Sequence, residues 1–329
     1  KRVFSPQGQN LEVQNTRQNY TNDGNCPEVR KHLTSNGVDV NLAEVCSPNV
    51  LSVGWVATCL DALCSQECAH DSKRIQGVQA NDTYEIIGTV KTPTTHTAEA
   101  GVAAGIVQVL HGVMEQHNIK PEDVVFIAHG TTQATNALLE GDVAQVGIVT
   151  LGSGLQGAKS KSDTNVGDIE LAAGKFLRTK NAFVDTSSDV EAGIKSAIEQ
   201  LFSDGSTSYV AAEAFSVDDP TNENAVIAEC SDRELPATAT NDISKLYGLA
   251  IRTRTAVVNA SIMPKMLEAA NMTDKSIREA GIESPLMVMR CDGGVMTVDE
   301  VRHRPILTIL SGPAAGVAGD LMYEKLTDG

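Results

Sequence analysis

From about residue 84 onward the sequence alternates between short apolar runs and longer amphipathic stretches, and this alternation constrains the fold more than any other feature. A short apolar run is typical of a buried strand, and apolar residues spaced three and four positions apart are typical of a helix. Regular alternation of the two predicts an α/β architecture. We therefore expect an α/β domain over residues 81–329.

The same periodicity locates individual elements of this domain. Strands are predicted over residues 85–90, 124–128, 145–151, 209–215, 285–289 and 306–310. Helices are predicted over residues 98–114 and 131–140, and from Val190 to a stop at Asp204-Gly205. A further helical stretch over residues 245–270 is expected to be interrupted by Pro264, because proline removes a backbone donor and clashes with the preceding turn.

Residues 1–80 have a different character. The first 48 residues are rich in Asn, Gln, Gly and Thr, and an apolar stretch around the single tryptophan, Trp55, follows them. No periodicity in this segment indicates a particular fold. We therefore divide the chain into an N-terminal segment of unassigned fold, residues 1–80, and the α/β domain of residues 81–329.

The charge balance narrows the classes of partner. With 26 Lys and Arg against 42 Asp and Glu, the formal net charge is -16 and the sequence pI is about 4.8. Such a field repels nucleic acid and anionic membrane surfaces. No apolar run approaches the roughly 18 residues of a membrane-spanning helix, and the first residues do not resemble a signal peptide. The expected partner is a small-molecule substrate, and the expected compartment is the cytoplasm.

The cysteines agree with a reducing compartment. The chain has seven, an odd number, so full pairing within one chain is impossible. Cys59, Cys64, Cys68 and His70 form a group that invites a metal interpretation, but their spacing lacks the paired C-x-x-C pattern of zinc sites. Cys64 and Cys68 alternatively lie on one helix face as small buried residues. We predict reduced thiols and no metal site.

The first candidate site is the run HGTTQATNA, which begins at His129 directly after a predicted strand. Polar side chains at the carboxyl end of a strand, beside a glycine and a helix start, lie where open α/β sheets place ligands. His129, Thr131, Thr132 and Asn136 are the candidate catalytic residues. The alternative is a helix cap, in which Thr131 or Thr132 satisfies free backbone donors and His129 is merely packed.

Two further turns are candidates for binding a cofactor. The run SGPAAGVAG starts at Ser311 after the predicted strand 306–310, and its small residues, Gly312 and Gly316 among them, allow a phosphate to approach backbone amides. The alternative is close packing of a helix on the sheet, which the local pattern slightly favours over direct phosphate contact. The turn Asp292-Gly293-Gly294 suits a metal or phosphate, and it also suits an ordinary hairpin turn.

A third glycine pattern points elsewhere. The run GSGLQG from Gly152 fits the G-x-G-x-x-G dinucleotide fingerprint, follows a predicted strand, and has Asp168 and Glu170 downstream. The fingerprint requires a helix to open at these glycines, and residues 158–168 lack an apolar stripe. We therefore expect a flexible glycine loop here rather than a nicotinamide or flavin site.

Three segments in chain order carry a resemblance. HGTTQATNALLE is similar to the H-G-T-T-x-A-T-N-A-L-L-E signature of the hydantoinase/oxoprolinase family, which includes 5-oxoprolinase, N-methylhydantoinase and subunits of ATP-dependent ketone carboxylases. YGLAIRTRTAVVNASIMPKM resembles the Y-x-R-x-x-T-x-x-x-N-A helix of that family, and RPILTILSGPAAGVAG resembles its R-P-x-x-x-x-x-S-G-P-A-x-G-V-x-G segment. The resemblance covers about three quarters of the chain.

The resemblance implies an actin-like ATPase fold with ribonuclease H-like lobes, of which this chain holds a part. It implies ATP and Mg2+ as cofactors and the hydrolysis of a C–N bond in small cyclic amides of the hydantoin or 5-oxoproline type, after phosphorylation of an oxygen. By resemblance, His129, Thr131, Thr132 and Asn136 face the cleft. Gly312 and Gly316 lie near the nucleotide, and Asp292 and Gly293 are further candidates.

Two departures from the family pattern leave alternatives open. The D-x-G-G-T-F-T-D phosphate loop that usually precedes the strand at residues 85–90 is absent, and the second glycine-threonine loop would follow the last residue, Gly329. A fragment is therefore one expectation. The alternatives are a subunit of an ATP-dependent ketone carboxylase and a non-catalytic module completed by a partner chain, and we expect a homo-oligomer or a second subunit.

Overall fold

The computed structural model describes residues 2–4, 10–12, 52–55, 70–76, 86–93, 101–124 and 126–323. Contacts between Cα atoms divide the chain into two units, Lys1–Asn41 and Leu42–Gly329. In the first unit, strand β1 (Arg2–Phe4) pairs antiparallel with β2 (Asn10–Glu12). All further elements belong to the second unit.

The larger sheet of the second unit has six strands in the order β14-β13-β6-β3-β4-β5. Strand β3 pairs parallel with β6 and antiparallel with β4, and β6 pairs parallel with β13. Strands β3 and β4 precede residue 80, so this sheet contains strands from both of the predicted segments, 1–80 and 81–329. The boundary between these segments remains a prediction. The strands are β3 (Ser52–Trp55), β4 (His70–Gln76), β5 (Ile86–Pro93), β6 (Phe126–His129), β13 (Leu286–Met289) and β14 (Val295–Thr297).

Helix α1 (Gly101–His117) provides the core on one face of this sheet. Its residues Ile106, Val109, Leu110 and Val113 are buried together with residues from β6 and β13. Their spacing of three and four positions is the periodicity from which the helix was predicted. The strands predicted at residues 85–90, 124–128 and 285–289 are likewise confirmed to within a few residues.

The smaller sheet is parallel throughout, in the order β10-β7-β11-β12. Every residue of β7 is buried, as expected for a central parallel strand covered on both faces. The strands are β7 (Val146–Gly152), β10 (Thr179–Asp185), β11 (Ser208–Glu213) and β12 (Ala237–Ala239), and a separate hairpin joins β8 (Ile169–Ala172) to β9 (Lys175–Leu177). The helices are α2 (Gln133–Glu140), which precedes β7, α3 (Gly154–Asp163), α4 (Val190–Ser203), α5 (Thr221–Asp232) and α6 (Thr240–Ile243).

The expected flexible loop at Gly152 is wrong, because helix α3 opens at Gly154. A Cβ built on Gly157 would stand 2.9 Å from the carbonyl carbon of Gly152, so this glycine lets the helix pack directly on the end of β7. This backbone contact holds helix α3 on the sheet, although the helix has no apolar stripe. Asp168 accepts hydrogen bonds from Arg178 (2.6 Å) and from the amide of Thr179 (3.2 Å), which engage its carboxylate in the loop before β8.

Helix α7 (Leu249–Glu279) is continuous for 31 residues, whereas an interruption at Pro264 was predicted. Met263 and Met266 on either side of the proline are buried. The residues of its first half, such as Val257, pack on the smaller sheet, and those of its second half, such as Ile277, pack in the core of the larger one. The free energy gained by burying both halves of the helix offsets the hydrogen bond that Pro264 removes, so the helix continues past the proline.

The strand predicted at residues 306–310 is also wrong. After helix α8 (Val298–His303), residues Pro305–Thr308 form a 3-10 helix, and helix α9 (Ser311–Tyr323) follows. The apolar residues Leu307 and Ile309 resemble a strand in sequence, but they pack individually against the core of the larger sheet. Pro305 opens this turn, because it lacks the amide that a strand needs and its fixed φ suits the first helical position.

Candidate functional site

The end of β6, the turn after it and the start of α2 contain the four candidate catalytic residues. Thr131 is 7% exposed, and its Oγ1 accepts a hydrogen bond from the amide of Gln133 (3.2 Å), so this side chain acts as a cap. Thr132 and Asn136 are exposed and touch each other through Nδ2 and Oγ1 (3.4 Å). His129 is half-buried. The turn thus combines a capping threonine with two polar side chains that a ligand can reach.

The start of α9 lies directly against this turn. The Ser311 hydroxyl donates to the carbonyl oxygen of Thr131 (3.3 Å), and the amide of Leu310 donates to the Thr135 hydroxyl (3.2 Å). Ala315, one turn into α9, packs on Ala128 of β6. Two segments that are 180 residues apart in sequence therefore form one seam at the carboxyl end of β6.

The Asp292-Gly293-Gly294 turn connects β13 to β14. Since β13 is parallel to β6, this turn follows the same edge of the sheet as the seam. The Asp292 carboxylate accepts hydrogen bonds from the Gly294 amide (3.0 Å) and from Arg290 (2.6 Å), and these partners hold its pKa below the usual range. Gly293 has a φ of +83°, which glycine adopts without strain. The hairpin turn that was one of the two interpretations is therefore present.

The two glycines of the α9 segment, Gly312 and Gly316, are buried. A Cβ built on Gly316 would meet no atom within 4 Å, so there is space beside this glycine. That space is compatible with a phosphate or a sugar ring approaching the helix backbone. The structure brings the segments of all eight candidate residues to one edge of the larger sheet, while their individual roles stay predictions.

Leu310 is not among the site residues predicted from the sequence, which places it at the end of a strand. Its φ is +60°, and its side chain is 59% exposed at the seam. The left-handed conformation costs a branched residue about 1–2 kcal/mol. Leu310 also precedes α9 at a position where Ser, Thr, Asp or Asn usually caps the helix. A strained and exposed leucine of the third motif thus lies at its contact with the first motif.

Away from the seam, helices α5 and α7 place two buried charged residues of opposite sign beside the smaller sheet, and the sequence did not single them out. Glu223 and Arg252 are both fully buried, and the Thr240 hydroxyl lies between them, donating to Glu223 (2.5 Å) and accepting from Arg252 (3.4 Å). Arg252 also donates to the carbonyl oxygen of Glu213 (2.8 Å). Burial lowers the pKa of Arg252 and raises the pKa of Glu213, which is half-buried beside Glu223.

The polar atoms of this cluster are paired with one another. Glu223 accepts four hydrogen bonds, which come from the amides of Glu213 and Asn241, the Asn241 side chain and the Thr240 hydroxyl. A fully paired buried network holds its elements in place and leaves little capacity for a ligand. The only sequence indication was the arginine in the Y-x-R-x-x-T run, which resemblance placed on a helix.

The residues at the seam are poor direct ligands for a metal ion. Within the described part of the chain, no three His, Cys, Asp or Glu side chains are grouped to hold one, and Asp292 is already engaged by Arg290. Cys59, Cys64 and Cys68 lie outside the described residues. Mg2+ in nucleotide sites is often held by one or two carboxylates, by phosphate oxygens and by water, so a nucleotide-borne Mg2+ is compatible with one carboxylate here.

The thiol next to Asp292 provides a test of this local geometry. Cys291 is exposed, whereas burial raises the pKa of Cys230 from 9.0 to about 12. At a given pH the thiolate fraction of Cys230 is therefore roughly a thousandfold lower than that of a cysteine with the ordinary pKa of 9.0. We expect iodoacetamide at pH 8 to label Cys291 and to spare Cys230 in the folded protein, as read by peptide mass spectrometry. Equal labelling of both would contradict the burial of Cys230, and unfolding in urea should abolish the difference.

Among the residues that the structure describes, no helix is both long and apolar enough to cross a bilayer.

Comparison with solved structures supports the fold. A nucleotide-free acetone carboxylase, from work on the mechanism of ATP-dependent acetone carboxylation, matches with a TM-score of 0.59 and 15% identity over 85% of this chain and 41% of its own. The ATP-dependent caprolactamase from Pseudomonas jessenii matches with a TM-score of 0.55 and 19% identity over 80% of this chain and 39% of its own. The chain thus spans about two fifths of these proteins.

The predicted fold class is confirmed, and the chain has part of an actin-like ATPase fold. No curated protein matches the chain. Two family models do match it. The model described as the hydantoinase/oxoprolinase N-terminal region covers residues 75–233, and the hydantoinase/oxoprolinase model covers residues 252–328. These matches cover the first and third motifs in full and the second from Arg252 onward, so the chain belongs to the hydantoinase/oxoprolinase family.

Proposed function

We propose that this chain is part of an ATP-dependent enzyme that hydrolyses a C–N bond in small cyclic amides. The observation that carries the proposal is the seam, where Ser311 bonds to Thr131 in the turn and Leu310 bonds to Thr135 in the first turn of α2. It joins the candidate amide-binding residues to the candidate nucleotide-binding glycines. A reaction that couples a nucleotide to a second substrate needs these two sets of residues side by side.

The amide would bind on the exposed polar side chains of the turn. Thr132 offers a hydroxyl, and Asn136 offers both a donor and an acceptor, as an amide group requires. Because the amide Nδ2 of Asn136 is shared with Thr132 over a long 3.4 Å contact, a ligand can replace this bond at little cost. Thr131 would act indirectly by fixing the turn, since its hydroxyl is occupied by the Gln133 amide.

The nucleotide would lie along the start of α9, with Gly316 leaving room for it and Gly293 beside it. ATP would supply a phosphoryl group to the amide oxygen, which makes the amide carbon more electrophilic, so that water can attack it and the ring nitrogen can leave, and the phosphate is then released by a second water. The chain's own residues would bind, orient and shield the reactants. Asp292 would supply a carboxylate on the nucleotide side, with its pKa held below the usual range by the Gly294 amide and Arg290.

The test is calorimetric titration of the purified chain with a slowly hydrolysed ATP analogue and Mg2+. We expect saturable one-to-one binding. In Gly316→Ala, where the new methyl enters the open space, affinity should fall roughly tenfold. Gly112→Ala is the matched control, because Gly112 is also helical and its Cβ would make an ordinary contact with Val90 (3.5 Å). Absence of binding by a folded sample would contradict the proposal and favour a module completed by a partner chain.

A second reaction class follows from the structural similarity to acetone carboxylase. Carboxylation of a ketone also needs a phosphorylated oxygen beside a nucleotide, so the same seam serves it. Two parallel assays separate the classes, namely nucleotide-dependent ring opening of ε-caprolactam and nucleotide-dependent fixation of labelled bicarbonate onto acetone. We expect ring opening. Fixation without ring opening would replace the hydrolase with a carboxylase subunit.

A further inference from the structure

Leu310 combines three properties that packing alone does not explain. Its backbone is left-handed at a φ of +60°, its side chain is 59% exposed, and it precedes helix α9 without a side-chain oxygen to cap it. Exposed leucines are common on protein surfaces and need no explanation singly. Strained backbone at a branched residue is uncommon, and it occurs disproportionately at sites that bind ligands.

The strain has a visible cause in the seam. The Leu310 amide donates to Thr135, and its carbonyl oxygen accepts from Ala314 (3.4 Å) in the first turn of α9. The neighbouring Ser311 donates to the Thr131 carbonyl oxygen. These bonds fix the backbone of Leu310 on both sides. The Leu310 side chain therefore extends from a fixed backbone and is exposed. It lies beside helix α2, where Asn136 is also exposed.

We propose that Leu310 is a specificity-determining residue, forming the apolar wall of the substrate pocket against the methylene edge of a lactam ring. This inference rests on the proposed function. A lactam has one polar edge, the amide, and one apolar edge, the ring carbons. Thr132 and Asn136 offer polar groups for the first edge, and Leu310 offers an apolar surface for the second. A preordered apolar wall binds the ring without paying the entropy of fixing a mobile side chain.

The wall predicts a direct spectroscopic response. The full chain is labelled with 13C in its leucine methyl groups, and the Leu310 signals are assigned by their loss in Leu310→Met. On titration with ε-caprolactam in the presence of the ATP analogue and Mg2+, the Leu310 signals should shift saturably. Leu155, which is 94% exposed in the first turn of helix α3, provides the control and should not shift.

Substitutions separate the wall from the strain. In Leu310→Ala, caprolactam affinity should fall about tenfold, the loss that removal of a few methylene contacts produces in an apolar pocket. Leu310→Gly relieves the strain as well, so it should fold at least as stably and still lose the affinity. Leu310→Met should stay within about twofold of the wild type, and Leu155→Ala should be unchanged.

Two results would overturn the inference. One is saturable caprolactam binding that leaves the Leu310 signals in place, and the other is the absence of any caprolactam-dependent shift in the wild type. The nucleotide titration distinguishes this failure from that of the proposed function. If the nucleotide binds but the Leu310 signals do not shift, only the proposed role of Leu310 is contradicted. If the Leu310 signals shift but no nucleotide binds, only the proposed ATP-dependent reaction is contradicted.

Discussion

Replacing Glu223 by Ala is expected to lower the free energy of unfolding by about 3–5 kcal/mol, the usual result of removing one partner from a buried charge pair. Arg252 would remain fully buried without its counter-charge. The amides of Glu213 and Asn241 would also lose their acceptor, and each orphaned donor adds a desolvation cost. Urea denaturation followed by circular dichroism measures the change as a lower transition midpoint at an unchanged slope.

The control is Glu191→Ala on helix α4. Glu191 is 81% exposed and pairs with Lys195 one turn along the helix (2.7 Å). Exposed pairs of this kind contribute about 0.3–0.5 kcal/mol. A loss of similar size in both variants would show that the network around Glu223 is open to water. Glu223→Gln is the finer probe, because it keeps the shape and removes the charge, and we expect a loss between the two.

Asn259→Ala is expected to cost about 3 kcal/mol of stability and to loosen the seam as well. The Asn259 side chain is fully buried and makes three hydrogen bonds, donating to the Thr238 hydroxyl (3.0 Å) and the His303 carbonyl oxygen (3.0 Å) and accepting from the Ile306 amide (3.0 Å). Each orphaned buried partner costs about 1–3 kcal/mol, partly relieved by water. Since residues 303–306 lead directly into Leu310 and Ser311, their release also frees the start of α9.

Asn271→Ala is the matched control on the same helix. Asn271 is exposed and accepts from Arg302 of α8 (2.8 Å), so it also ties α7 to α8, but through a bond that water can replace. We expect a loss below about 0.5 kcal/mol. Hydrogen exchange read by mass spectrometry should show faster exchange over residues 303–316 in Asn259→Ala alone. Unchanged exchange there would show that the seam is held by its own contacts.

The sequence predicted what depends on local pattern. Val109 and Val113 revealed α1 because their spacing places both on one buried face, and the glycine and threonines after β6 located the candidate turn because strand ends in α/β sheets bind ligands. The family resemblance added the fold. Neither source indicated that Ser311 bonds to Thr131, because a contact across 180 residues leaves no local pattern.

The errors have physical reasons of the same kind. Helix α3 has no apolar stripe because Gly157 packs by backbone contact, and α7 continues through Pro264 because burial at both ends outweighs one lost hydrogen bond. Ile306 to Leu310 reads as a strand because its residues are apolar and partly β-branched, yet Pro305 sets a 3-10 turn. In the first two cases tertiary packing outweighed a local preference, and in the third the local effect of Pro305 outweighed the apolar pattern. The strain at Leu310 likewise depends on contacts that only the folded chain makes.

Helix α7 has a consequence for how this part of the chain loses its structure. At 31 residues the helix is about 46 Å long, and its residues are buried in the cores of both sheets. If either core unfolds, half of helix α7 loses its packing partners, so a destabilisation of one core should also destabilise the other. We therefore expect both sheets to unfold in a single cooperative transition, and a protease cut near Pro264 should collapse both cores at once rather than release an intact half.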